Sequence, residues 1–259
     1  MNAPAHKFKV YAYTPNAEDA HWMEVALQEA AAGAAQGEVP IGAVLVHEGR
    51  ELARTHNAPI AQNNACAHAE ILAIQSACKA LGNYRLGAKA TLYVTLQPCL
   101  MCLGAIAHAR IGRVVLGSAQ SRFNSNLEDA LHLLSQSEAL HPCSFEWGCM
   151  AEESEMLLKT FFKSRRTSRL QAITALKKLS DMPNVNKNTL QVLRSVSISE
   201  PSHLLARLET EEQATQLCAD IKALAENAQA QGDAQQAAIL ASLCDYLQGE
   251  PVRSWKAYL

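Results

Sequence analysis

The 259-residue sequence predicts an α/β protein, a three-layer α/β/α sheet with helices on both faces, followed by a small all-helical module. Apolar runs of strand length alternate with helical patterns through the first 180 residues, which is typical of a layered sheet. After a turn-rich break, only helical stripes follow. We therefore expect two domains, residues 1–180 and residues 184–259. Two groups of metal-binding residue types also fall where predicted strands end and helices begin, the usual place for a site in such sheets.

The first predicted elements are a helix and two strands. Asn16 or Asp19 can cap a helix that extends to about residue 36. Residues 41–46 form a continuous apolar run typical of a buried strand, and a short turn leads into a second strand over residues 51–55.

The remaining elements of the first domain alternate in the same way. Strands are predicted over 90–95 and 113–117, and helices over 127–135 and 152–179. Near the N-terminus, alternation over residues 8–12 can add an edge strand. The second domain is predicted as a helical hairpin, whose apolar stripes favour a packed core over a ligand groove.

Composition limits the class of protein. An apolar content of 49% supports a packed core. The sequence has no apolar run of membrane-spanning length and no signal-peptide layout, so we expect a cytoplasmic protein with no membrane partner and with reduced cysteines. The net charge of −2 hides an asymmetry, since residues 159–194 hold nine Lys or Arg and one acid, whereas residues 199–259 hold nine acids and four bases.

The candidate chemistry lies in two short motifs, His68-Ala69-Glu70 and Pro98-Cys99-Leu100-Met101-Cys102. Hydrolytic zinc takes three protein ligands and leaves its fourth position to water. His68, Cys99 and Cys102 meet that count with one Zn²⁺ per chain. Glu70 is then available as the catalytic acid and base.

The spacing of these residues constrains where they can lie. Cys99 and Cys102 share one face if a helix starts near Pro98, and a helix N-terminus favours the thiolate. His68 and Glu70 are two residues apart and diverge by roughly 200° within a helix. They can therefore serve one metal only where the chain enters a helix.

Each motif has a plainer interpretation. A histidine near a helix start is often a packed core residue, and one Cys-x-x-Cys can be a redox pair or half of a structural zinc site. A redox site has no use for His-x-Glu, and a structural site needs a fourth protein ligand, so the combination favours catalytic zinc. The other six cysteines are interpreted as small buried hydrophobic residues: Cys66, Cys78, Cys143, Cys149, Cys218 and Cys244.

The pattern His-x-Glu followed by Pro-Cys-x-x-Cys is the known signature of zinc-dependent nucleobase deaminases. Residues 18–179 resemble the bacterial tRNA-specific adenosine deaminases in particular, on the segments 38–46, 57–60, 91–96 and 110–115 as well as the two motifs. The resemblance implies a homodimeric cytidine deaminase-like fold that converts the wobble adenosine of a tRNA anticodon to inosine. It also implies that Asn57 contacts the target base or its ribose, although a turn residue is the plainer interpretation.

The resemblance also bears on the basic segment. It implies that a helix carrying Arg165, Arg166 and Arg169 ends near the RNA path, whereas a run of charges is usually a solvated face. The chain departs from the family pattern at Gln97, where Glu is usual, and over residues 118–126. These departures lie near the expected substrate pocket and leave the zinc ligands intact.

Three functions are compatible with the sequence. The first is an RNA adenosine deaminase acting on the anticodon loop of tRNA. The second is a deaminase of a free nucleobase or nucleoside, which would need a closed pocket and no RNA. The third is a non-catalytic RNA-binding or partner subunit that retains zinc for folding, against which an intact Glu70 counts.

Overall fold

The computed structural model describes residues 8–119, 127–135, 141–180 and 211–244, apart from 235, 236, 239 and 242. The strands are β1 (Phe8–Ala12), β2 (Gly42–His47), β3 (Arg50–His56), β4 (Ala90–Leu96), β5 (Arg113–Ser118) and β6 (Cys143–Trp147). The helices are α1 (Ala17–Ala35), α2 (Pro59–Gln62), α3 (Ala69–Leu81), α4 (Leu100–His108), α5 (Leu127–Ser135), α6 (Ala151–Ser180) and α7 (Glu211–Ala230). Described residues between 237 and 244 are also helical. No helix within the described ranges is both long and apolar enough to span a membrane.

The six strands form one mixed sheet in the order β1-β6-β5-β4-β2-β3. Strands β4, β5, β6 and β1 are parallel, whereas β2 is antiparallel to both of its neighbours, β3 and β4. Strand β3 therefore has the same direction as β4. The carboxyl ends of β3 and β4, which lead towards α3 and α4, thus lie at one edge of the sheet, where sites form in layered folds.

Side chains of the sheet alternate between two apolar layers. On β2, Ala43 and Leu45 belong to a core with buried residues of α3, α4 and α5, whereas Val44 and Val46 pack with Met23 and Ala26 of α1. This alternation follows from the period of two along a strand. The predicted three-layer α/β/α sheet is thereby confirmed.

A buried ion network joins α1 to the centre of the sheet. The Asp19 side chain is only 2% exposed and accepts two hydrogen bonds from the Arg113 guanidinium, both at 2.7 Å. It also accepts a hydrogen bond from the Tyr93 hydroxyl at 2.8 Å. Arg113 donates two more hydrogen bonds to Glu146 on β6. One carboxylate thus links the first turn of α1 to β4 and β5.

Several local predictions can be compared with the structure. Asn16 is the N-cap of α1, since its Oδ1 accepts a hydrogen bond from the Asp19 amide. The edge strand over residues 8–12 is confirmed as β1, whereas residues 143–147, for which no strand is predicted, form β6. The expectation that Cys66 is buried is wrong, because it lies in an exposed loop.

The chain divides into two compact units, residues 1–161 and residues 162–259. In the second unit, Leu217, Ile221, Leu240 and Leu243 are buried, which agrees with the predicted apolar core of a helical module. The predicted domain limits, 1–180 and 184–259, stay a prediction, since residues 181–210 lie outside the described ranges.

Candidate metal centre and active site

Two helix starts place the candidate zinc ligands. His68 is the N-cap of α3 with extended backbone angles, φ −74° and ψ 150°. Cys99 is the N-cap of α4, also extended, with φ −75° and ψ 172°. Cys102 follows one turn later on α4 and is buried. The chain thus enters a helix at both motifs, as the spacing of the ligands required.

The three ligand atoms form a triangle of the size that zinc requires. His68 Nδ1 lies 3.7 Å from Cys99 Sγ and 3.6 Å from Cys102 Sγ, and the two sulfur atoms are 3.7 Å apart. Tetrahedral zinc with Zn–S of about 2.3 Å and Zn–N of about 2.0 Å places two sulfurs about 3.8 Å apart and a sulfur and a nitrogen about 3.5 Å apart. The three residues therefore fit one zinc ion without rearrangement.

The ligand count is that of a hydrolytic site. His68, Cys99 and Cys102 are the one cluster in the described part of the chain that brings at least three such ligand atoms within 4.8 Å of one another. Cys66 is not a member, although it is only two residues from His68. Three protein ligands leave a tetrahedral metal one position for water.

The helix start also prepares Cys99 for metal binding. A hydrogen bond from Cys102, together with backbone N–H groups of Cys102 and Met101, lowers the pKa of Cys99 to about 5. Its partner behaves oppositely, because the interaction with Cys99 and burial raise the pKa of Cys102. Because zinc binds thiolates, metal binding releases the protons that these thiols still carry.

Glu70 lies beside the cluster without being a member of it. It is the second residue of α3, and its side chain is only 3% exposed. Burial raises the pKa of Glu70 to about 6, and a hydrogen bond from its own backbone N–H partly opposes that shift. A buried carboxyl group next to a three-ligand metal cluster is suited to moving protons.

Asn57 is fixed by the helix that carries Glu70. It follows β3, is 5% exposed, and its Oδ1 accepts a hydrogen bond from the Ala69 amide at 2.9 Å. On the same strand, the Thr55 hydroxyl donates to the Ala69 carbonyl oxygen at 2.7 Å. Asn57 and Thr55 thus hold the start of α3 through the N–H group and the carbonyl oxygen of Ala69, respectively.

The other predicted contact residues belong to the second unit of the chain. Arg165 and Arg166 lie on α6 and are half-buried and exposed, respectively. Arg169 lies on the same helix, but its side chain is outside the described set. The chain departs from the family pattern at Gln97, whose backbone N–H donates to the Ser118 carbonyl oxygen. Of the other departures, over residues 118–126, residues 120–126 lie outside the described ranges.

Glu38 is a buried residue near the site for which the sequence predicts no role. This carboxylate is 2% exposed and accepts a hydrogen bond from the Ala61 amide, 23 residues away. The only signal in the sequence is an acid immediately before the apolar segment Val39-Pro40-Ile41, and such a signal does not identify a partner.

Known proteins similar to this chain agree with the geometry. Residues 16–118 match the family described as the cytidine and deoxycytidylate deaminase zinc-binding region. A tRNA-specific adenosine deaminase of Agrobacterium fabrum is 45% identical over 150 residues, which are 58% of this chain and 97% of the relative. The enzyme of the same name from Bacillus subtilis is 40% identical over 155 residues, 60% of this chain and 95% of the relative.

A solved structure gives the same result. It comes from work on A-to-I editing by tRNA:A34 deaminases at the wobble position of transfer RNA, and it is 45% identical to this chain with a TM-score of 0.50. The likeness covers 53% of this chain and 99% of that one. The chain contains the zinc-binding region and covers 97%, 95% and 99% of the lengths of these three relatives. It therefore belongs to the family of tRNA-specific adenosine deaminases.

Proposed function

We propose that the protein is a zinc-dependent hydrolase that converts adenosine to inosine in RNA, at the wobble position of a tRNA anticodon. The observation that carries this proposal is the three-ligand cluster with a buried carboxyl group beside it. It occurs in a chain that spans 97% of an A. fabrum tRNA-specific adenosine deaminase. A closed, four-ligand site would instead favour a purely structural metal.

The residues of the site divide the chemistry between them. His68, Cys99 and Cys102 hold the metal, which when bound lowers the pKa of water towards neutrality. Glu70 takes a proton from the attacking water and delivers it to the purine ring nitrogen next to the reacting carbon. Glu70 then takes the second proton from the hydroxyl now bonded to that carbon and gives it to the amino group, which leaves as ammonia as the C–N bond breaks and the carbon keeps the oxygen.

Burial is what suits Glu70 to both steps. A carboxyl group with a pKa of about 6 accepts and returns protons at neutral pH more readily than an exposed one does. Its position in the first turn of α3, two residues from His68, keeps it close to the metal ligands.

Asn57 supplies the substrate contact in this proposal. Because its Oδ1 accepts the Ala69 N–H, the amide nitrogen is the atom that can face a ligand. A nitrogen donor fits the acceptor atoms of a purine or the ribose oxygens. The same hydrogen bond couples the position of Asn57 to the start of α3.

For RNA binding, we propose that Arg165, Arg166 and Arg169 contact phosphates of the anticodon stem-loop. The excess of basic residues over 159–194 supports this assignment, and phosphate contacts of this kind weaken as salt rises. We also propose a cytoplasmic homodimer, as the family resemblance implies. Sedimentation of the zinc-loaded protein at micromolar concentration tests the dimer.

A panel of substrates tests the proposed function. Zinc-loaded protein is incubated with an anticodon stem-loop carrying A at the wobble position, the same RNA with G there, adenosine, adenine, guanine and cytidine, and ammonia release is measured. We expect ammonia only from the stem-loop that carries A at the wobble position. Release from a free base or nucleoside but not from RNA would favour a small-molecule deaminase, and no release from any substrate would favour a non-catalytic subunit.

A further inference from the structure

Glu38 is a buried carboxylate that the proposed chemistry does not use. It lies in the connection between α1 and β2, and its side chain is 2% exposed. Its Oε1 accepts a hydrogen bond of 2.9 Å from the amide of Ala61. Burying a carboxylate has a large cost, so a buried carboxylate with a specific backbone partner is expected to fix that partner in place.

The partner belongs to the loop between two residues of the site. We call residues 57–68 the rim loop, because it begins at Asn57 and ends at His68. Its base is closed by a hydrogen bond from the Ala58 amide to the Ala67 carbonyl oxygen. Ile60, at the start of the short helix α2, is 37% exposed, and residues 61–66 are exposed as well.

The body of the rim loop, residues 59–66, makes its other hydrogen bonds within the loop. Five backbone amides donate to carbonyl oxygens of the same loop: Gln62 to Ala58, Asn63 to Ile60, Asn64 to Pro59, Ala67 to Asn64 and His68 to Cys66. The Cys66 amide donates to the Asn64 side chain. Among the described residues, the bond from Ala61 to Glu38 is the one hydrogen bond that ties this body to the rest of the protein.

We propose that Glu38 is a positioning residue that holds the rim loop in the form that receives RNA around the target adenosine. This inference rests on the proposed function. Glu38 accepts the Ala61 N–H, the loop body keeps one position relative to the connection between α1 and β2, and flanking nucleotides meet a preformed surface. A preformed loop lowers the ordering cost of binding. Removing the acceptor leaves Ala61 without its partner and frees the loop body.

The prediction separates binding from chemistry. The start of α3, which positions His68 and Glu70, is held by Thr55 and Asn57 through the Ala69 backbone, and Cys99 and Cys102 lie at the start of α4. Their positions therefore do not require the Glu38 bond. Loss of the bond should therefore raise KM for the RNA and leave kcat nearly unchanged. A general loss of structure would instead lower zinc content and kcat together.

Two uncharged variants of similar length isolate the acceptor. Glu38→Gln keeps a carbonyl oxygen that can accept the Ala61 N–H, whereas Glu38→Met removes it. Glu24→Gln, at an exposed position on α1, is the matched control. Each zinc-loaded full-length variant is assayed for KM and kcat on the anticodon stem-loop. Amide hydrogen exchange is followed over residues 57–68, with α3 as the internal reference.

We expect Glu38→Met to speed amide hydrogen exchange of the rim loop about tenfold and to raise KM for the RNA about tenfold. This is the size of effect expected for the loss of a hydrogen bond to a charged group. We expect kcat within about threefold of wild type, and Glu38→Gln to recover most of both effects. Unchanged exchange and KM in Glu38→Met, or equal impairment by Gln and Met, would overturn the proposal. If the Met variant does not fold, exchange of the Ala61 amide in wild type decides, since an unprotected amide contradicts the bond.

The exchange measurement needs no substrate. If Glu38→Met accelerates exchange but the wild-type protein does not deaminate RNA, the proposed function is wrong and the positioning role of Glu38 in the rim loop stands. If the wild-type protein deaminates RNA but Glu38→Met exchanges normally, only the positioning role of Glu38 is wrong.

Discussion

Replacing Asp19 with Asn tests the buried ion network that joins α1 to the sheet. The substitution preserves shape but removes the charge that the Arg113 guanidinium contacts through two hydrogen bonds of 2.7 Å. It also replaces one oxygen with an NH₂ group, and that group cannot accept from Arg113 or from the Tyr93 hydroxyl. Arg113 keeps Glu146 as a partner, at 2.8 and 2.7 Å.

The magnitude follows from burial. Removing one partner of a buried ion pair costs about 3–5 kcal/mol. The Arg113 side chain is 28% exposed and retains Glu146, so we expect a somewhat smaller cost, about 2–4 kcal/mol. For a domain of this size, 1 kcal/mol shifts the melting temperature by about 2–4 °C, so Tm should fall by about 5–15 °C.

The pH dependence has a definite sign. Burial by itself would raise the pKa of Asp19, but hydrogen bonds from Arg113, Tyr93 and Asn16 outweigh it and hold that pKa below its usual value. A lowered carboxyl pKa stabilises the folded state above the unfolded pKa of about 3.9, and the stabilisation is lost as pH falls through the folded pKa. The difference in unfolding free energy between wild type and Asp19→Asn should therefore have its full size at pH 7 and become smaller below about pH 4.

Thermal unfolding of the two proteins across that pH range provides the assay. Glu48→Gln is the control, because Glu48 pairs with Lys89 on the surface and should change Tm little. An Asp19→Asn protein as stable at pH 7 as the control, or a gap that widens in acid, would refute the reasoning.

Three further predictions concern the site. Metal analysis should find one zinc per chain, and Cys102→Ala should lose both the metal and thermal stability, whereas retention of zinc would rule out Cys102 as a ligand. Glu70→Ala should keep zinc and the fold but lose on the order of 10²–10⁴ in deamination rate, and wild-type turnover would contradict its role. The double variant Arg165→Ala with Arg166→Ala should weaken stem-loop binding and flatten its salt dependence, and unaltered binding would remove these residues from the RNA path.

The geometry within each of the two metal-binding motifs was predictable because it is local, whereas the meeting of the motifs, 31 residues apart, was expected from the deaminase signature. His68 and Glu70 are two residues apart and Cys99 and Cys102 three, so a helix start at each motif suffices to fix their geometry. The layered sheet was predictable for a related reason, since buried strands and amphipathic helices leave distinct periodicities. Both kinds of pattern depend on neighbours within one turn or one strand.

Contacts between distant parts of the chain that no motif marks were not predictable. The Asp19–Arg113 pair joins residues 94 positions apart, and nothing in either local sequence identifies the partner. Strand β6 escaped prediction because Cys143-Ser144-Phe145-Glu146-Trp147 is short and follows Pro142, so its strand character depends on pairing with β5 and β1. Cys66 was taken as buried from its residue type, whereas its exposure is set by the rim loop.

The central claim is that this site deaminates an adenosine in RNA through Glu70. The most direct measurement is the base identity at the wobble position of a tRNA that carries A there, read by sequencing after incubation with zinc-loaded wild type or Glu70→Ala of equal zinc content. The account predicts that wild type converts the wobble A to inosine, which is read as G, and that Glu70→Ala leaves A. An unchanged A with wild type, or equal conversion by both proteins, would contradict it.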